Sequence, residues 1–133
     1  MEYDLVVRNG TIVDGTGAPG RAGTVAVVDG RIRVLGPGEA PPEHVARSID
    51  ATARIVAPGF IDLHSHGALV ILAEPRHEPK VRQGVTTELV GADGNGFAPF
   101  MRLEDLEAFV HLDCGLDGRP DIAYDWDSVS SYL

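Results

Sequence analysis

Ala57-Pro58-Gly59-Phe60-Ile61-Asp62-Leu63-His64-Ser65-His66 is the stretch on which the fold turns. A Pro-Gly breaker is followed by a short, mostly apolar run, which predicts an interior strand over residues 60–63. Side chains alternate along a strand, so Asp62, His64 and His66 share one face, and Ile61 and Leu63 share the other. One face is polar and carries two imidazoles; the other is greasy. That pattern suits a barrel strand with a site inside and helices packed outside. Spacing alone leaves a second reading open, in which the two histidines are hydrogen-bonded and idle at a strand end. Their place at the C-terminal end of an apolar strand favours a ligand site, because parallel α/β folds put ligands there.

The totals narrow the function classes. The chain has 133 residues, a net charge of -9 and a single cysteine, Cys114. One ordinary domain fits this length. Net negative charge argues against nucleic acid, which needs a basic face, and against an anionic membrane surface. One cysteine allows no intrachain disulfide, which points to a reducing, cytoplasmic setting. Residues 1–4 are acidic and lack the basic-then-apolar layout of a signal peptide, and no apolar run approaches the length of a membrane span.

Outward from the central stretch, the character differs on the two sides. Residues 1–57 read as short strands separated by turns. Strands are expected at 3–8 and 11–14, joined by an Asn9-Gly10 hairpin turn, and at 24–28 and 31–35, joined by Asp29-Gly30. A Pro- and Gly-rich connector covers 36–42, and further short strands are expected at 45–50 and 54–56. This is half a small sandwich or meander, not a βαβ unit. From residue 58 strands alternate with helices. Residues 67–72 are apolar and short, and their state stays open. A helix over 74–83 is expected to break into two pieces or kink at Pro79 and to end at Gly84. Residues 85–90 are β-branched and read as a second parallel strand. The glycine-rich loop 91–96 follows it. Leu103, Leu106, Phe109 and Val110 recur at helical spacing, and 128–133 begins another helix.

With these residues laid out, the sequence resembles the metal-dependent amidohydrolase superfamily, and most of all its N-acyl-D-amino-acid deacylase branch. The matching pieces are residues 4–17, 57–66, 80–87 and 97–99, in family order, and residues 121–126 also fit. The resemblance implies an α/β protein with an N-terminal β-sandwich portion and the first strands of a (β/α)8 TIM barrel. Residues 1–57 would be part of a composite sandwich and 58–133 the start of the barrel. A closed barrel needs about 250 residues, so the chain is expected to correspond to the N-terminal third or so of such an enzyme.

The resemblance also implies chemistry. His64 and His66 match the family's His-x-His metal ligands. The branch usually carries a cysteine ligand after the second strand; here Asp93 stands in its place. A carboxylate is a harder donor than a thiolate but still binds zinc. Asp93 is equally a favoured turn former in a glycine-rich loop. The implied cofactor is zinc, as one or two divalent ions, which would polarise an amide carbonyl and activate water. The substrate would be a small amide, an N-acyl amino acid. The catalytic aspartate and the later metal histidines have no matching position here, so no catalytic residue is assigned and the chain is expected to be inactive alone. The alternatives are a hydantoinase- or dihydropyrimidinase-type cyclic amidase, and a non-catalytic β module that needs a partner chain. His44, His77 and His111 are expected at the surface, Lys80 to Gln83 on a solvated helix face, and Tyr124 and Trp126 as packing anchors.

Overall fold

The computed structural model describes residues 3–36, 38–40 and 44–133. The connector expected over 36–42 therefore lies partly outside the described residues. The chain forms two compact units, Met1–Pro58 and Gly59–Leu133.

The first unit is one mixed sheet. Strand β1 (Leu5–Ile12) pairs antiparallel with β2 (Arg21–Val28), and β2 with β3 (Arg31–Leu35). Strands β4 (Ser48–Asp50) and β5 (Ile55–Val56) both run parallel to β1. Val6, Ala26 and Leu35 form its small core. Asp29 and Gly30 take positive φ of 48° and 68° and make the expected two-residue hairpin turn. Among its described residues the first unit contains this one sheet, so the expected sandwich portion is represented by a single layer.

The other expected hairpin is absent. β1 runs straight through Asn9-Gly10. Asn9 sits at φ 62° in a bulge, where the pairing with β2 steps from Val7↔Val25 to Gly10↔Gly23. Thr11 and Ile12 find partners on β2 and β5 at once, so continuing the strand satisfies more backbone groups than reversing it. Position 10 favours glycine because a Cβ there would run into the Val56 side chain.

In the second unit, β6 (Phe60–Asp62) and β7 (Val85–Glu88) form a two-stranded parallel sheet. Their backbones come close, and a Cβ on Gly59 would collide with Thr86. Four helices surround the pair in sequence: α1 (Val70–Ala73), α2 (Glu78–Val81), α3 (Leu103–Asp113) and α4 (Val129–Tyr132). The expected helix over 74–83 shrinks to α2, with Pro79 in its first turn, where a missing N–H costs nothing. Gly84, at φ 85°, closes it. The open stretch 67–72 begins α1.

Two expectations about β6 fail. It is not a buried strand: Phe60, Ile61 and Leu63 are 61%, 64% and 71% exposed. With β7 as its single strand neighbour, the apolar face has no covering layer among the described residues. The strand also ends at Asp62, so His64 and His66 stand on the bend beyond it.

The core of this unit gathers Leu69, Phe97, Leu106, Val110 and Trp126. Trp126 is the anchor that was expected: it is buried, stacks at an angle with Tyr124 and Tyr132, and donates its indole N–H to the Phe97 carbonyl at 2.6 Å. Burying the ring is tolerated because its one polar atom keeps a partner.

Lys80 is not on a solvated face. Its ammonium reaches back from α2 to Asp62 Oδ2 at 2.5 Å and to Ser65 Oγ at 3.3 Å, and lies 3.6 Å from Glu88 Oε2. The Lys80 bond, and then the His64 backbone N–H, hold the Asp62 carboxyl below its usual range. The same Asp62 bond raises Lys80 against the opposing effect of burial.

Two predictions follow from this packing. Trp126→Ala is expected to lower the unfolding free energy by about 3–5 kcal/mol, read by urea titration with circular dichroism. For the ion pair, a carboxylate lowered on folding stabilises above its ordinary value of 3.8 and loses that contribution as pH falls through its folded value. An ammonium raised on folding stabilises below 10.5 and loses its contribution as pH rises through its folded value. Asp62→Asn should therefore melt lower than the parent chain between these limits, with the gap closing on both the acid and the alkaline side. A gap that persists unchanged into strong acid would contradict the pair's role.

Candidate metal centre

The parallel pairing brings the C-terminal ends of β6 and β7 side by side. Leu89 N–H donates to the Asp62 carbonyl at 2.8 Å, and Ser65 N–H donates to the Leu89 carbonyl at 3.1 Å. The two chains thus stay coupled past the strand ends. His64 and His66 emerge on one side of this junction, and the loop after β7 delivers Asp93 to them.

That loop is a run of left-handed backbone. Gly91, Asp93 and Gly94 have φ of 81°, 57° and 86°. Glycine takes this conformation without strain, and Asp is among the few other residues that tolerate it. Asp93 is thus a turn former by conformation, and the turn also points its carboxylate at the imidazoles.

His64 Nε2 lies 3.1 Å from Asp93 Oδ2, and His66 Nε2 lies 3.9 Å from the same oxygen. The two rings are 5.2 Å apart and tilted. One donor atom from each of the three residues falls within a 4.8 Å cluster. Donors bound at about 2.0–2.1 Å to a tetrahedral zinc stand roughly 3.4 Å apart. The observed spacings bracket that value, and a set of two imidazoles and one carboxylate is chemically suited to zinc. His64 and Asp93 are more than half exposed, whereas the His66 side chain is largely covered. The expected grouping of Asp62 with the histidines does not occur, because its carboxylate is taken by Lys80 and the His64 N–H.

Behind the three donors lies a layer that the sequence did not reveal. His66 Nδ1 is 3.2 Å from Asp117 Oδ2, and the Asp117 side chain is 2% exposed. Burial and the Asp113 carboxyl push Asp117 upward from its ordinary value, while His66 pulls it down. His77, expected at the surface, is half-buried instead, with its side chain 11% exposed. Its Nε2 lies 2.6 Å from Glu88 Oε1, although the angle falls outside hydrogen-bond geometry and neither ring nitrogen has a hydrogen-bond partner among the described residues. Burial pushes Glu88 up, but the Ser65 hydroxyl, His77 and Lys80 together hold it below its usual value. His44 and His111 are exposed as expected. No sequence signal linked His66 to Asp117, 51 residues away. The one signal that could have pointed to this layer is Glu88, an acidic residue inside the β-branched run 85–90.

No family model matches the chain. An N-acyl-D-aspartate deacylase of Alcaligenes xylosoxydans xylosoxydans is 44% identical over 102 residues, which is 76% of this chain and 20% of that relative. The crystal structure of a D-aminoacylase superposes with a TM-score of 0.74 at 33% identity, covering 98% of this chain and 26% of that one. An N-acyl-D-glutamate deacylase from Bordetella bronchiseptica, solved with zinc and a phosphonate inhibitor, gives a TM-score of 0.65 at 40% identity over 75% of this chain and 21% of that one. The chain therefore spans about a fifth of the length of the curated relatives it matches, and a quarter of the D-aminoacylase structure rather than the third expected. Over this partial segment, the chain belongs to the amidohydrolase superfamily and is D-aminoacylase-like.

Proposed function

We propose that the chain supplies part of the metal centre of a metal-dependent hydrolase of non-peptide C–N bonds, with an N-acyl-D-amino acid as substrate. The observation that carries this reading is the convergence of His64, His66 and Asp93 at the C-terminal end of a parallel strand pair. The similarity to deacylases, one of them solved with zinc, supports both the reaction class and the choice of metal.

His64 and His66 would hold the ion through their imidazoles, and Asp93 through its carboxylate, which would also offset part of the charge. When bound, the ion supplies Lewis acidity toward the amide carbonyl. The exposure of the His64 and Asp93 side chains would leave the outward side of the site open to substrate and to further ligands. Residues 58–133 are proposed to begin a (β/α)8 barrel and residues 1–57 to form part of a composite sandwich; the mixed sheet and few helices of this chain fit part of the D-aminoacylase structure on which it superposes.

Elemental analysis of the purified chain at neutral pH, beside a His64→Ala/His66→Ala double variant, tests the reading. Near-stoichiometric zinc in the parent and none in the variant is expected. Equal zinc in both would contradict the site. The chain alone is expected not to turn over N-acyl-D-amino acids, because the family's catalytic aspartate and later metal histidines have no matching position in it, and robust hydrolysis by it would overturn that part of the proposal.

A further inference from the structure

Resting on the proposed metal site, we infer that Asp117 is a positioning residue that fixes His66 in the Nδ1–H tautomer and so presents its Nε2 lone pair to the ion. A neutral imidazole has one N–H and one bare nitrogen, and the bond made by one nitrogen decides the state of the other. Here the two nitrogens face different groups. Nε2 looks toward Asp93 Oδ2 at 3.9 Å, and Nδ1 looks toward Asp117 Oδ2 at 3.2 Å. A carboxylate on Nδ1 makes that nitrogen the donor and leaves Nε2 free to ligate.

The carboxylate is held by backbone. Past the end of α3, Leu116 N–H and Asp117 N–H both donate to the Asp113 carbonyl, at 2.9 and 3.1 Å, and Gly118 turns the chain away at φ 77°. This tight turn buries Asp117 and fixes its direction. Among the described residues His64 has no such support: its Nε2 faces Asp93, and its side chain is 59% exposed. The two imidazoles of the motif are therefore unequal, with His66 preset and His64 adjustable. Buried carboxylates of this kind orient metal-bound histidines and raise their basicity.

The first test needs no substitution and no metal. Long-range proton–nitrogen correlation spectra of the metal-free, nitrogen-15-labelled chain at neutral pH report the tautomer of each histidine. Free histidine prefers the Nε2–H form, so an Nδ1–H signature at His66 requires an acceptor there. The expected result is Nδ1–H at His66; an Nε2–H form, with Asp117 donating to Nδ1, would overturn the inference. In Asp117→Ala, with folding checked by circular dichroism, His66 should revert toward Nε2–H. Zinc affinity should fall roughly 10–100-fold. An unchanged tautomer and unchanged affinity in a folded variant would also overturn it. A His64→Ala chain separates the two proposals. If it binds zinc as the parent does, the metal site fails while the His66 tautomer still stands or falls on its own spectrum.

Discussion

The parallel pairing of β6 with β7 is the constraint on which the candidate site depends. Each donor lies on chain that has just left one of these two strands, so the distance between the strand ends sets the distance between the ligands. Parallel strands end on the same side, which is why two segments about thirty residues apart can place side chains on one point. The approach of Gly59 to Thr86 and the bonds from Leu89 to Asp62 and from Ser65 to Leu89 keep that registration past the ladder. A side chain at position 59 would push the strands apart and carry His64 away from Asp93.

Around this junction the polar groups divide into two clusters with different work. His64 and Asp93 face solvent and His66 is largely covered, and one donor atom from each lies within 4.8 Å of the others. Asp62, Ser65, Lys80 and Glu88 form the second cluster, partly buried, where opposite charges and a hydroxyl satisfy one another. Removing one member of such a group leaves its neighbour desolvated and unpaired, which is why these pairs act as a structural lock more than as a net source of stability. The lock ties α2 to both strand ends and holds the bend that carries the histidines.

Much of this was legible in the sequence because it rests on local chemistry. The Pro-Gly breaker, the His-x-His spacing, the β-branched run at 85–90 and the helical spacing after Leu103 each signal their element without help from distant residues. Asp93 was singled out by the resemblance, standing where the branch carries a cysteine, whereas its glycine-rich surroundings by themselves pointed to a turn. The failures share a different cause. Asn9-Gly10 has the composition of a hairpin turn, but two neighbouring strands offered the backbone a better set of partners. Lys80 and His77 look like surface residues on a short polar helix; only the folding of α2 against the strand ends partly covers them. Asp117 meets His66 across a separation that no spacing rule reaches. Periodicity reports which face of an element is apolar, and it is silent about which polar groups from other elements will meet there.

The central claim is that His64, His66 and Asp93 share one metal ion. Zinc-edge X-ray absorption on the zinc-loaded chain tests it most directly, because the spectrum counts imidazoles and separates oxygen or nitrogen from sulfur. The expected spectrum has two imidazoles and only light donors at about 2.0–2.1 Å, with the carboxylate contribution lost in Asp93→Ala. Sulfur scattering at about 2.3 Å, which would come from Cys114, or a first shell unchanged by Asp93→Ala, would contradict it.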